Sequence, residues 1–248
     1  MNTQTDERKH KNGLILALFM LGAAVGFALV TVSFWGDYEA SMIGLDYMGE
    51  KQLDTLACPI LTTSRDKARF TVKIHNPLEH NLTRTVQVMV SSGRLSLLRE
   101  DRVSFQLKPD ESRSLSWPVE PEDAVYGKLV LAKVYLYPSH SIPSKDATCG
   151  ILVLDIPFLS GQQVVYGSLG LSLIGMISAI LLWQRNNKLK TIQQKELTRS
   201  MFMMASAISV GLIASLLGSR LAYGWLLSGS CLVVAVLLLA VTLYQMLK

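Results

Sequence analysis

Charge is what this 248-residue sequence is short of. Only 17% of its residues are Asp, Glu, Lys or Arg, against roughly 25% in soluble domains. The shortage is local: residues 12–36, 162–184, 201–219 and 221–247 contain none of the four, and no proline either. An α-helix needs about 20 apolar residues to cross the roughly 30 Å hydrocarbon layer, and each segment reaches or approaches that length. About four transmembrane helices are therefore predicted, at 13–35, 163–184, 201–219 and 221–247. Ion-coupled carriers handle their ions with ionisable groups inside the membrane. These helices have none, so the chain alone is a poor carrier.

Chemical motifs are equally scarce. There is no Cys-x-x-Cys or His-Glu-x-x-His run, the spacings that mark zinc sites. No Gly-x-Ser-x-Gly elbow frames a nucleophile,. His75, His80 and His140 are the histidines beyond the N-terminal tail, and they read as exposed turn residues rather than ligands. No catalytic residue, metal site or cofactor is expected.

A net charge of +5 hints at nucleic acid, but its placement argues otherwise. Residues 37–160 hold 14 basic and 16 acidic side chains, so this region lacks the basic footprint that phosphate binding requires. The excess lies beside the hydrophobic segments: Arg8, Lys9 and Lys11 in the 1–12 tail, then Arg185, Lys188, Lys190, Lys195 and Arg199 in the 185–200 loop, with Arg220 and Lys248 beyond. Positive charge in short loops marks the cytoplasmic side. The tail, the 185–200 loop and the C-terminus are predicted to be cytoplasmic, and residues 37–160 extracytoplasmic, in a multi-pass plasma-membrane protein. Tyr223 and Trp225 suit interfacial anchors. A basic tail before an apolar stretch also opens a cleavable signal peptide, but the run here exceeds the usual 7–15-residue core. Ser33-Phe34-Trp35-Gly36-Asp37 offers no small-x-small cleavage site, which favours an uncleaved anchor.

Residues 37–160 read as β throughout. Apolar side chains alternate at Phe70, Val72 and Ile74, at Val86, Val88 and Val90, at Val103, Phe105 and Leu107, at Leu115, Trp117 and Val119, and from Val130 to Leu136; Ile151–Leu154 closes the set. Alternation of period two marks strands with one buried face. Turn residues separate them at Asn76-Pro77, Ser92-Gly93, 108–111, 121–123 and 138–143,. Six or seven such strands predict an antiparallel sandwich of immunoglobulin type between helices 1 and 2, with a small barrel as the alternative.

Cys58 precedes these strands and Cys149 opens the last; both lie on the side where disulfides persist. A bridge between them is expected to tie the first and last strands together near the membrane, unlike the cross-sheet bridge of antibody domains. Closing about 90 residues is worth ~4 kcal/mol in the chain-entropy model. Cys231, inside helix 4, reads as a small apolar residue. Asn81-Leu82-Thr83 is a formal glycosylation triplet, used only in a eukaryotic secretory setting.

The run from Phe70 to Asn76-Pro77, then Val86–Val90, then Leu107-Lys-Pro-Asp-Glu-Ser112 before an alternating strand, resembles bacterial extracytoplasmic immunoglobulin-like modules of the CARDB kind. Asp110 stands where that family often has Gly. The resemblance covers about 50 residues and rests on turn chemistry; it implies a binding or spacer module and carries over no active-site residue.

Small residues recur in register on the helices: Gly22 and Gly26 in the first, Ser168, Ser172, Gly175 and Ala179 in the second, Ala207, Gly211 and Ser215 in the third. Such faces let helix backbones approach closely in lipid, within this bundle or against a partner. Trp117 is expected in the core. Tyr135 and Tyr137 fall opposite Val134 and Leu136, as an aromatic stripe suited to an interface.

These features point to a non-catalytic membrane protein whose extracytoplasmic sandwich binds or braces another envelope component. Its expected partners are membrane lipid and a membrane or envelope protein, not nucleic acid. An accessory subunit of a transport or export complex, and a membrane-bound enzyme, are the alternatives.

Overall fold

In a computed structural model, residues 3–139, 142–187, 192–217 and 224–247 are described. His140, Lys188, Lys190, Arg220, Tyr223 and Lys248, all invoked above, lie outside them. Among the described residues four helices form: α1 (Thr3–Ser41), α2 (Gly161–Asn186), α3 (Ile192–Leu217) and α4 (Gly224–Leu247). Each contains a stretch long and apolar enough to cross a membrane: His10–Ser41, Gly161–Asn186, Gln194–Leu217 and Trp225–Thr242. Many large apolar side chains on these helices are exposed, among them Leu171, Ile174, Phe202, Ile213 and Leu237. A water-soluble bundle hides such residues; one solvated by lipid has no reason to.

Two helices run past the apolar segments that predict them. α1 continues to Ser41 rather than ending near 35. α3 begins at Ile192, so most of the expected 185–200 loop is helical. In α3 the added residues are polar but good helix formers, Gln193-Gln194-Lys195-Glu196 among them,. Hydropathy delimits what suits lipid; it does not delimit the helix.

The chain divides into two compact units. One comprises Met1–Thr31, Tyr166–Ser215 and Leu226–Lys248; the other comprises Val32–Val165 with Leu216–Trp225. Among its described residues the second holds nine strands between α1 and α2. They are β1 (Lys51–Gln52), β2 (Leu56–Ala57), β3 (Leu61–Thr63), β4 (Arg69–His75), β5 (Leu82–Ser92), β6 (Arg94–Leu107), β7 (Ser112–Pro118), β8 (Leu129–Leu136) and β9 (Lys145–Leu154).

A six-stranded sheet runs β1-β9-β8-β5-β6, with β3 also paired to β9; a three-stranded sheet runs β2-β4-β7. The alternation read from sequence shows directly in β4, where Phe70, Val72 and Ile74 are buried and Arg69, Thr71, Lys73 and His75 are exposed. Both sheets contribute to one apolar cluster that includes Phe70, Val72, Val88, Phe105, Val134 and Ile151. Trp117 belongs to it, stacks on Phe70 at 5.7 Å, and donates from Nε1 to Asp101 Oδ2.

The expectation of a purely antiparallel arrangement needs correction. β1 and β3 both pair with β9 in parallel. The three short strands carry too few residues to show a period, and parallel partners need long crossovers, here most of the domain. The first half of β6, Arg94–Arg102, also lacks an apolar alternation. It pairs along β5 through the hairpin at Ser92-Gly93, where Gly93 takes φ +67°.

Candidate functional site

The outer face of the larger sheet holds buried polar groups, Gln87, Ser91 and Lys133 among them. Even-numbered β8 residues (Val130, Ala132, Val134, Leu136) face the core, which leaves Leu129, Leu131, Lys133 and Tyr135 outward. The last turns of α1 cover the first part of that outer face. Gly36 sits against Gly150 of β9 so closely that a Cβ on Gly150 would overlap the Gly36 backbone. Beside it, Gly150 N donates to Asp37 Oδ1 at 3.3 Å. Ala40 and Ile43 then pack with Val125, Leu129 and Leu131 in a second small apolar cluster.

Lys133 ends this contact. It is 2% exposed, and its Nζ donates to Gly44 O at 2.8 Å and Ile43 O at 3.3 Å, with Asp146 Oδ2 at 3.6 Å. A cation just past the end of α1 also complements the negative end of the helix dipole. Burial pushes the Lys133 pKa down, and Asp146 opposes that shift. The odd position of one lysine in an apolar strand was the only sequence signal for this lock.

Next along the face comes an aromatic patch. Tyr135 and Tyr137 meet edge to face at 4.9 Å, and Tyr47 meets Tyr135 at 5.6 Å. The Arg102 guanidinium lies over the Tyr137 ring at 4.5 Å. Tyr137 Oη donates to Gln87 Oε1, and Gln87 Nε2 donates to Glu100 Oε2 at 2.8 Å. Arg102, Gln87 and Tyr135 stand abreast across β6, β5 and β8. Burial raises the Tyr137 phenol pKa, while Arg102 pulls it back. Both tyrosines of the expected stripe are thus half-buried, each with one face engaged. Tyr47, Gln87 and Arg102 join them from segments that sequence pattern alone does not bring together.

The disulfide expected between Cys58 and Cys149 is present. Its placement differs in two respects. Cys149 lies in the middle of β9, paired with Ala132, rather than at its start. Cys58 directly follows β2 of the smaller sheet, so the bridge does join the two sheets. Nearby, Asp66 gathers the exit of the domain: its Oδ2 accepts from Gly161 N at 2.6 Å and Thr63 N at 3.1 Å. The Thr63 hydroxyl, 3.2 Å from the same oxygen, donates to Leu159 O at 2.7 Å. Burial works against the Asp66 charge, but the hydrogen bonds from Gly161 and Thr63, with Arg65 beyond, outweigh it and hold the carboxyl below its ordinary range. Ser160 and Gln163 form a reciprocal capping box at the start of α2,.

Aromatic rings collect near the first residues of α4. Phe34, Tyr38 and Trp225 are mutually in contact, Tyr38 and Trp225 at 5.7 Å, with Trp35 against Tyr38. Such rings suit a membrane–water interface.

Within the helical unit, the small residues meet one another. A Cβ on Gly22 would lie 3.0 Å from Met176 N and Ser172 O, and one on Gly26 would strike the Ser172 side chain and Ile208. Gly175 faces Gly22, while Ser172 and Ala179 are fully buried. Gly211 sits against Val30 and Cys231, and Ser215 is buried. Ser168 and Ala207 are half-buried. At the other end, Asn12 exchanges side-chain hydrogen bonds with Asn186 and Asn187.

Among the described residues no group of three or more His, Cys, Asp or Glu side chains converges around His75 or His80. His75 instead lies 3.6 Å from Asp110 and 3.2 Å from Ser112 Oγ. Asp110 takes φ +59°, a left-handed conformation that glycine adopts more readily. Asn76, fully buried, organises the preceding turn by donating to the carbonyls of His80 and Lys108.

No protein-family model matches the chain, and no curated protein matches it. Among solved structures, a β-glucuronidase of Bacteroides uniformis aligns at 13% identity over 41% of this chain and 12% of that one, with a TM-score of 0.27. A score that low carries no argument about fold or activity.

Proposed function

We propose that this chain is a non-catalytic integral membrane protein whose β domain, an immunoglobulin-type sandwich held outside the cytoplasm, engages another envelope protein. The observation that carries the reading is the patch of Tyr47, Tyr135, Tyr137 and Arg102 on the outer face of the larger sheet. Tyrosine and arginine are the residues that dominate interface energetics. Here they are locked to one another by edge-to-face and cation–π contacts, so little side-chain entropy is lost on docking. The basic loops support the orientation, with the domain on the side away from them.

The test is site-specific photo-crosslinking in cells, with the crosslinker at Tyr137 and, as control, at the exposed Lys128. A discrete adduct to an envelope protein from position 137 alone is expected. No adduct, or the same adducts from both positions, would overturn the reading.

A further inference from the structure

On the inner face of β5, Leu82, Val86, Val88 and Val90 are buried. One member of that face is an arginine. Arg84 is 3% exposed, and its Nη1 is buried with no hydrogen-bond partner among the described residues. Arginine remains charged at any cellular pH, and a buried charge without a counter-charge is a costly feature in a fold. Burial pushes its pKa down. An apolar side chain would complete the alternation; the cation awaits an anion.

Arg84 lines a cavity of about 270 Å³. The cavity arises where β2 stops short: it pairs only with Thr71 and Val72 of β4, and residues 73–75 border the gap. Lys73, His75 and Lys145 line it as well, with Asp54 the single carboxylate among the lining residues, exposed to solvent. Part of the His75 capacity is already taken by Asp110 and Ser112. Leu53, Ile74, Pro77, Leu136 and Ile142 make up most of the remaining wall. The volume lies just below the roughly 300–1,000 Å³ of drug-sized ligand cavities, which suits a small ligand.

We propose that this cavity binds a small organic oxyanion, a carboxylate or phosphate monoester on an apolar body, gripped by the Arg84 guanidinium between the two sheets. The fork of an arginine matches two oxygens of either headgroup, Lys73 and Lys145 add positive charge, and the apolar wall takes the body. The cavity is independent of the tyrosine patch, so either reading can fail without the other.

The test is thermal unfolding of the purified full-length chain in neutral detergent, at fixed ionic strength, with sodium chloride as reference. Hexanoate and phenyl phosphate are the two probes, and inorganic phosphate is the bodiless control. At least one organic probe is expected to raise the midpoint beyond inorganic phosphate, and which one does so identifies the headgroup. Arg84→Met should abolish that shift, and Arg84→Lys should weaken affinity about tenfold, as loss of a charge-assisted fork does. Without ligand, Arg84→Met should unfold no earlier than wild type, because it removes an unpaired buried charge. Should Arg84→Met fail to fold, Lys145→Gln supplies the readout, with affinity expected to fall about threefold. No organic-anion shift in the wild type, an undiminished shift in Arg84→Met, an unchanged affinity in Lys145→Gln, or a shift from inorganic phosphate alone would each overturn the proposal.

Discussion

Asp66 offers the sharpest test of how the β domain is closed at its exit. One carboxylate oxygen accepts from two backbone N–H groups, Gly161 at 2.6 Å and Thr63 at 3.1 Å, and the first belongs to the opening residue of α2. A hydrogen bond to a charged acceptor is worth about 1.5–3 kcal/mol, and a neutral one about half that. Asp66→Asn keeps an oxygen in place but removes the charge, and with it the favourable interaction with the positive end of α2. Partial exposure of the side chain trims the total, so a loss of about 2 kcal/mol is expected, or roughly 6 °C in Tm. Asp66→Ala, which removes both bonds, should lose about 3 kcal/mol.

The pH dependence gives the decisive control. The folded pKa of Asp66 lies below its ordinary value of 3.8. Its stabilisation is therefore complete above that ordinary value and disappears as pH falls through the lowered one. Thermal scans of wild type and Asp66→Asn should differ at neutral pH and converge in strong acid, where both side chains are neutral. Equal midpoints at pH 7, or a gap that persists undiminished below the folded pKa, would refute the reasoning.

Other substitutions test other contacts. Gly150→Ala drives a methyl into the Gly36 backbone and should cost about 3 kcal/mol through overpacking and loss of the Asp37 contact. Gly36→Ala meets its nearest atom, the Gly150 Cα, at 3.3 Å and gains helix propensity, so it should be near neutral; urea titration of both variants measures the asymmetry. Tyr126 takes φ +56° before Gly127 at +66° and is 69% exposed, a backbone that asparagine suits better. Tyr126→Asn should stabilise by about 0.5–1 kcal/mol in the same titration. Lys133→Met strands two carbonyls and Asp146 and should cost about 2–3 kcal/mol. Because burial lowers the Lys133 pKa, the unfolded chain binds more protons between the folded value and 10.5. This group's contribution thus rises with pH across that window, and the rise should vanish in the methionine variant when stability is followed from neutral pH upward.

Long elements with a clear period were legible in the sequence. Charge-free runs located four helices; alternation located five of the nine strands among the described residues, and a continuous apolar run a sixth. β1, β2 and β3 hold two or three residues each, too few for a period, and the register that places β1 and β3 beside β9 is set by contacts some 90 residues away. The disulfide pairing followed from having two cysteines on one side of the membrane, whereas its span between the sheets depends on strand order. Tyr135 and Tyr137 were readable as an outward pair, but Tyr47 and Arg102 reach them only through the fold. Arg84 and Lys133 went unread in the sequence, although each is a cation set among the apolar residues of a buried strand face. That local conflict between residue type and buried face was the signal, and it marks both polar sites inside the domain.

The pairing of β1 and β3 with β9 also orders events in time. The first strands made find their partner only when the last strand has been synthesised, and Cys58 waits equally long for Cys149. Until then β1 and β3 stand with their edges open. β9 ends at Leu154 and α2 begins at Gly161, so the domain closes only as α2 is being made. Closure of the β domain is thereby tied to synthesis of the helix that follows it: a chain halted before residue 145 lacks both the strand that β1 and β3 pair with and the cysteine that bridges to Cys58.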